Sequence, residues 1–322
     1  MYHTHDLSKY SFLVTGGAGF IGSNLVGYLL QHGANQVRVL DNFSNGYKAN
    51  LTEFMDYPNF ELLEGDIRNL ETCKQAMVGM DFVSHQAALG SVPRSIKDPA
   101  TTHAVNITGF LNMLLALKDS KTVKRMVYAA SSSTYGDSSS LPKVEDHIGK
   151  PLSPYAVTKY VNELYADVFG KTYGTDCIGL RYFNVFGPKQ SPQGAYAAVI
   201  PLFMQALREN VPPTIDGDGT QTRDFTYVDN AVQANIKAFF ADESASNEVF
   251  NVACGERISV NALWDTLCAA AQSHLEAAYG PERIGDVRDS LADVSKAKRL
   301  LGYVPEVGVE EGLKLTWEYF NQ

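Results

Sequence analysis

The first half of the chain alternates short apolar runs with longer amphipathic stretches. "YSFLVTGG", "QVRVLDNF", "NFELLEGD", "DFVSHQAA" and "VKRMVYAASS" each hold a run of strand length, rich in β-branched and aromatic residues. Between them, "FIGSNLVGYLLQHG" places Ile21, Leu25, Tyr28 and Leu29 at helical spacing, and "TGFLNMLLALKDS" repeats the pattern. Strands alternating with helices predict an α/β protein with a doubly wound parallel sheet, covered by helices on both faces. After "CIGLRYFNVFGP" the rhythm changes to longer loops, prolines and helices such as "VDNAVQANIKAFFAD". A first domain over 1–184 and a smaller α/β lobe over 185–322 are expected. "EVFNVACG", near 248–253, reads as a strand that returns to the first sheet.

Composition changes this picture little. At 322 residues, 45% hydrophobic and 20% charged, the chain has the make-up of a soluble globular protein with room for two domains. The net charge of −9 offers no reason to expect nucleic acid or an anionic membrane as partner. No apolar run is long enough to span a bilayer, and the N-terminal stretch lacks a signal-peptide pattern, so the cytoplasm is the expected compartment. Cys73, Cys177, Cys254 and Cys268 are scattered, with no Cys or His cluster at metal-ligand spacing, so no metal is expected.

Two stretches carry candidate chemistry. In "TGGAGFIG", Gly16, Gly19 and Gly22 fit the turn that lets backbone N–H groups approach a pyrophosphate at a helix N-terminus. Strand before, helix after and Asp41 at the end of the next strand complete a dinucleotide-binding pattern. A carboxylate there can accept from both ribose hydroxyls and repels a 2′-phosphate, which favours NAD over NADP. Asp66, followed by Ile67 at another strand end, could hold the adenine or equally cap the helix in "RNLETCKQAM".

The second stretch, "AASSSTYGDSSSLPKVEDHIGKPLSPYAVTKY", has the local composition of a serine-rich linker. Its end argues otherwise. Ser153 and Pro154 suit the N-cap and first position of a helix, which puts Tyr155 and Lys159 on one face. The lysine is expected to lower the phenol's pKa and make Tyr155 a general base.

With "TGGAGFIG", Asp41, "DIR", "HQAA", "SSSTYG", "YAVTK", "RYFNVFGP", "GDGTQTRDFTYVDN" and "RIGDVRDSLADVSKAKRLLGY", essentially the whole chain resembles the extended short-chain dehydrogenase/reductase family, in particular its nucleotide-sugar 4-epimerases. The resemblance implies a Rossmann-type sheet, NAD as cofactor and a UDP-sugar as substrate. It also implies a catalytic trio of Ser131, Tyr155 and Lys159. To the NAD site it adds Phe20, Ile21, Asn42, Ser44, Gln86, Ala87, Ala88 and Tyr182, beside the same Tyr155 and Lys159. Arg223 and Arg283 would bind the diphosphate with help from Asn184, Asp286 would hold the uridine ribose, and Ser132 and Ser133 would be further substrate contacts.

Similar dehydratases carry an Asp-Glu pair where this chain has Ser132-Ser133, and decarboxylases a glutamate, so the resemblance favours epimerisation at the sugar C4. Ser290 replaces a tyrosine or cysteine, and Gly90-Ser91 a lysine-containing stretch, of the plain-hexose enzymes. Both departures favour a 2-acetamido sugar, hence interconversion of UDP-GlcNAc and UDP-GalNAc, with UDP-glucose/UDP-galactose and UDP-hexuronates as alternatives. A dehydratase, a decarboxylase or a non-catalytic dinucleotide sensor would be the rivals. Relatives are often homodimers, and "GFLNMLLALKDS" with "YAVTKYVNELYADVFG" could supply the interface.

Overall fold

The structure, a computed structural model, describes residues 1–192, 198–281 and 288–321. Six strands, β1 (Ser11–Thr15), β2 (Gln36–Asp41), β3 (Phe60–Glu64), β4 (Phe82–His85), β5 (Arg125–Ser131) and β6 (Cys177–Tyr182), lie in the order 3-2-1-4-5-6. Every pairing is parallel. The strand Val249–Val252 pairs in parallel outside β6, as "EVFNVACG" suggested. The chain order reverses between β1 and β4, so their C-terminal ends open the crevice where such sheets bind ligands.

Period-two alternation of buried residues explains why helices cover both faces. Phe12 and Val14 of β1 point to one face and Leu13 to the other. On the Leu13 side pack α2 (Leu70–Met77), α5 (Gly109–Asp119) and α6 (Pro154–Tyr173), contributing Met77, Phe110, Met113 and Phe169. α5 is preceded by α3 (Val92–Lys97), α4 (Pro99–His103) and a π turn over Ala104–Thr108. The opposite face is covered by α1 (Phe20–Gln31) and by α8 (Val228–Phe239), which lies far along the chain, beyond α7 (Val199–Glu209). Both α8 and Val249–Val252 therefore return to the sheet that the first half builds.

A second core gathers Phe186, Phe203, Phe225, Trp264 and Leu313 from α7, α9 (Val260–Ala271), α11 (Val309–Phe320) and the connections between them. Its strands are short: Thr214–Asp216 pairs with Ala278–Gly280, and Thr222–Arg223 with Ile258–Ser259. α10 (Ser295–Leu301) leads from this region back to the first core through Ala297 and Leu301. Among the described residues, no helix is long and apolar enough to cross a membrane.

Candidate active site

A cavity of about 460 Å³ opens at the C-terminal ends of the central strands. Its floor is the glycine turn. Gly16 has φ +69° and a side chain there would come within 2.6 Å of the Ala87 nitrogen, while a Cβ on Gly22 would meet the Gly16 carbonyl oxygen at 2.2 Å. The backbone thus passes where only glycine fits, and α1 begins at Gly19 with no side-chain cap on its first N–H groups. A pyrophosphate suits that bare helix start.

Asp41 ends β2 inside the same cavity. Its carboxylate is buried and accepts from the backbone N–H of Ala18 at 2.9 Å and of Phe43 at 2.8 Å. Burial pushes its pKa up, and those N–H groups pull it part of the way back. Asp66 accepts from the Arg68 guanidinium and from the Asn42 amide, and the Arg68 bonds above all hold it down to about 2. The cap of α2 is Asn69, whose side chain accepts from the N–H of Glu71 and Thr72. The capping reading of Asp66 is therefore corrected: the turn after β3 extends three residues further before the helix starts, and Asp66 faces the cavity. Glycine cradle, bare helix start and Asp41 together fit a dinucleotide.

Tyr155 and Lys159 reach the same cavity from the first turns of α6. Ser153 caps that helix by accepting from the Ala156 N–H, with Pro154 at its first position. The Tyr155 N–H, left over at the helix start, donates to the buried Ser95 of α3 at 3.0 Å. Ser131, the last residue of β5, lies on the same wall as Tyr155. Ser131 to Tyr135 form a strand end and a 3-10 turn rather than the linker their composition suggests.

The expected lowering of the Tyr155 phenol is corrected: burial raises its pKa, and the Ser131 hydroxyl pulls it the other way. The Lys159 Nζ donates to the Ala129 carbonyl at 2.8 Å and stands 5.9 Å from the Tyr155 ring centroid. Burial also brings Lys159 down to about 8, opposed by the Glu163 carboxylate one turn along α6. Both groups are cut off from water, which disfavours the charged form of each.

Each residue expected at the dinucleotide site, from Gly16 to Tyr182, lines this cavity, as do Gly90, Ser91 and Asn184 of the substrate set. Asn184, with φ +37°, is shared with a second cavity of about 590 Å³, lined also by Phe203, Ile215, Gln221 and Arg223. Ser132 and Ser133 stand outside both walls, as does Ser290, whose N–H donates to the Thr222 carbonyl and whose Oγ accepts from the Asp224 N–H. Arg283 and Asp286 lie outside the described residues.

Sequence reasoning missed three buried groups around the site. Asn106, in the π turn, bonds the backbone of Leu89 twice and donates to Thr158 of α6, which joins one cavity wall to the Tyr155 helix. Arg181, next to Tyr182, pairs with Glu163 through two bonds of 2.9 and 2.7 Å and faces the Tyr135 ring. Asp224 accepts from the N–H of Cys254, Gly255 and Ala292, drawing three distant segments together. A polar residue within an otherwise apolar run, as in "HAVNITGF", was the one signal available.

Comparison with known proteins agrees with this geometry. Residues 12–253 match the family model described as the NAD dependent epimerase/dehydratase family. The UDP-glucuronate 4-epimerase of Thermodesulfobacterium geofontis is 36% identical over 314 residues, covering 95% of this chain and 94% of that one. The crystal structure of UDP-glucose 4-epimerase from Thermotoga maritima with UDP-glucose is 38% identical with a TM-score of 0.90, covering 97% and 98% of the two chains. That of UDP-N-acetylglucosamine 4-epimerase from Methanobrevibacter ruminantium M1, in complex with UDP-N-acetylmuramic acid, is 37% identical with a TM-score of 0.91 and the same coverage. With the cofactor cradle, the Tyr155–Lys159 helix and these likenesses together, the chain belongs to the NAD-dependent epimerase/dehydratase family.

Proposed function

We propose that this protein is an NAD-dependent UDP-sugar 4-epimerase, an isomerase, whose substrates are UDP-GlcNAc and UDP-GalNAc. The observation that carries the reading is the meeting of Ser131, Tyr155 and Lys159 with Asp41 on one cavity wall, which continues through Asn184 into the cavity of Arg223. The first cavity would hold NAD and the second the uridine diphosphate. Residues 1–184 would form most of the cofactor domain, and 185–322 most of the substrate lobe.

NAD supplies a reversible hydride acceptor when bound. Asp41 would accept from the adenosine ribose, and the N–H groups at the start of α1 would face the pyrophosphate. Tyr155 would take the proton of the sugar C4 hydroxyl and later return it to the 4-keto oxygen, with Ser131 donating to that oxygen in both directions. Lys159, held by Ala129, would bind the nicotinamide ribose. Arg223 would pair with diphosphate oxygens, for which a guanidinium fork is suited.

The relatives named above act on a hexose, an acetamido hexose and a uronate at nearly equal identity, so kinship leaves the sugar open. The acetamido reading rests on Gly90-Ser91 at the cavity wall; Ser290, outside both walls, does not add to it. The exposed stripe Val157, Leu164 and Val168 on α6 supports a homodimer joined through that helix. Purified protein without added NAD, incubated with UDP-GlcNAc, UDP-glucose and UDP-glucuronate, tests the reading. Isobaric conversion of UDP-GlcNAc is expected. Conversion of a plain hexose or uronate alone would move the specificity, mass loss would mean a lyase, and no turnover of any sugar would end the epimerase reading.

A further inference from the structure

Ser131 holds an unusual set of hydrogen bonds for a serine at a reaction centre. It caps the 3-10 turn Ser132–Tyr135, and its Oγ accepts from the Ser133 N–H at 3.2 Å. The same oxygen accepts from the Ser133 hydroxyl at 2.9 Å. A hydroxyl has two lone pairs and one proton. Both lone pairs of Ser131 are therefore engaged by one residue, and its proton is the only part left to point into the cavity that it shares with Tyr155.

We propose that Ser133 is a positioning residue that makes Ser131 a one-way hydrogen-bond donor towards the reacting sugar oxygen. The inference rests on the epimerase reading above and replaces the expected substrate contact of Ser133, which stands outside both cavity walls. Direction is what matters chemically. As the sugar C4 hydroxyl becomes a 4-keto oxygen it loses its proton to Tyr155 and can then only accept, so a hydroxyl held as a donor keeps its bond throughout. One free to turn and accept would find no proton on the keto oxygen and lose that bond. Ser133 acts twice because one backbone and one side-chain donor, two residues along, converge on a single oxygen. Loss of the Ser133 hydroxyl frees one lone pair, and Ser131 can then rotate between donating and accepting.

A double-mutant cycle on the NAD-loaded protein tests this, with kcat and KM measured for UDP-GlcNAc and UDP-GalNAc. Ser133→Ala is expected to lower kcat about five- to tenfold, the worth of one neutral hydrogen bond, with KM within about twofold. In a Ser131→Ala background the same change is expected to cost nothing further, and Ser133→Thr, which keeps a hydroxyl, to restore most of the rate. Bound NAD and melting temperature check that each variant is folded. A rise in KM at unchanged kcat would make Ser133 a sugar contact and overturn the inference. So would additive losses in the double variant, or no rescue by threonine. In each of those cases the wild-type epimerase activity stands, whereas a wild-type protein that turns over no UDP-sugar removes the function and the inference together.

Discussion

The two cavities that meet at Asn184 are built in different ways. The first is cut into the ends of neighbouring strands of one sheet: Gly16 follows β1, Asp41 ends β2, Gln86 follows β4 and Ser131 ends β5. Ladder hydrogen bonds hold those residues in register, so each motif arrives at the crevice by continuing its own strand. The second is lined by α7, by short strands and by connections such as Val211–Pro213, which are held by two- and three-residue pairings, the second core and a few side-chain bonds. Among the side-chain bonds Asp224 is chief, joining its own segment to those at Cys254-Gly255 and Ala292. A cofactor site on a sheet edge is rigid by construction. A substrate site made of connections depends on a few buried polar groups.

Substitutions should separate the two. The largest effect belongs to Tyr155→Phe at their junction. It should lower turnover on the order of 10²–10⁴-fold and leave both NAD content and UDP binding unchanged, as read by fluorescence and calorimetry. Loss of either binding would mean that Tyr155 holds a ligand rather than a proton.

Next, Asp224→Ala leaves three N–H groups without their acceptor, and for that of buried Ala292 the loss costs about 1–3 kcal/mol. UDP affinity should fall by about a hundredfold while NAD affinity stays within about twofold. Equal loss of both would break the division drawn above. Asp41→Ala should do the reverse, weakening NAD about ten- to hundredfold and sparing UDP.

A smaller effect is expected in pH dependence. Burial raises Asp224 to about 7, so the folded protein keeps a proton there that the unfolded chain releases near pH 4. That stabilising contribution is complete below about pH 4 and is lost as the pH rises through 7. Asp224→Asn should flatten the fall in melting temperature between pH 5 and pH 8. The smallest change is Arg94→Ala, which removes the 3.1 Å bond to Asn45 beside the first cavity. NAD release should quicken by no more than about twofold, since exposed polar contacts contribute little.

Legibility in the sequence follows the same line. The glycine turn, Asp41 and the Ser153-Pro154 start of α6 were readable because each is a local rule: a backbone that only glycine permits, a strand end, a capped helix. The return of α8 to the first sheet was not foreseen, because an amphipathic helix carries no mark of which apolar surface it will cover. Nor was the resting place of the Lys159 ammonium on the backbone. Spacing on a helix sets a shared face, but the Ala129 carbonyl, from another strand, decides where the ammonium rests.

By itself the sequence determined the parallel α/β architecture, the dinucleotide crevice and the chemical types gathered there, since periodicity, glycine geometry and caps act over a few residues. The tertiary structure alone decided that Ser133 spends both its donors on Ser131, that Arg181 locks Glu163, and that Asp224 gathers three segments. The pKa values depend on it as well. A buried group's charge is set by the water it loses and by partners from distant strands, and neither is visible until the chain has folded.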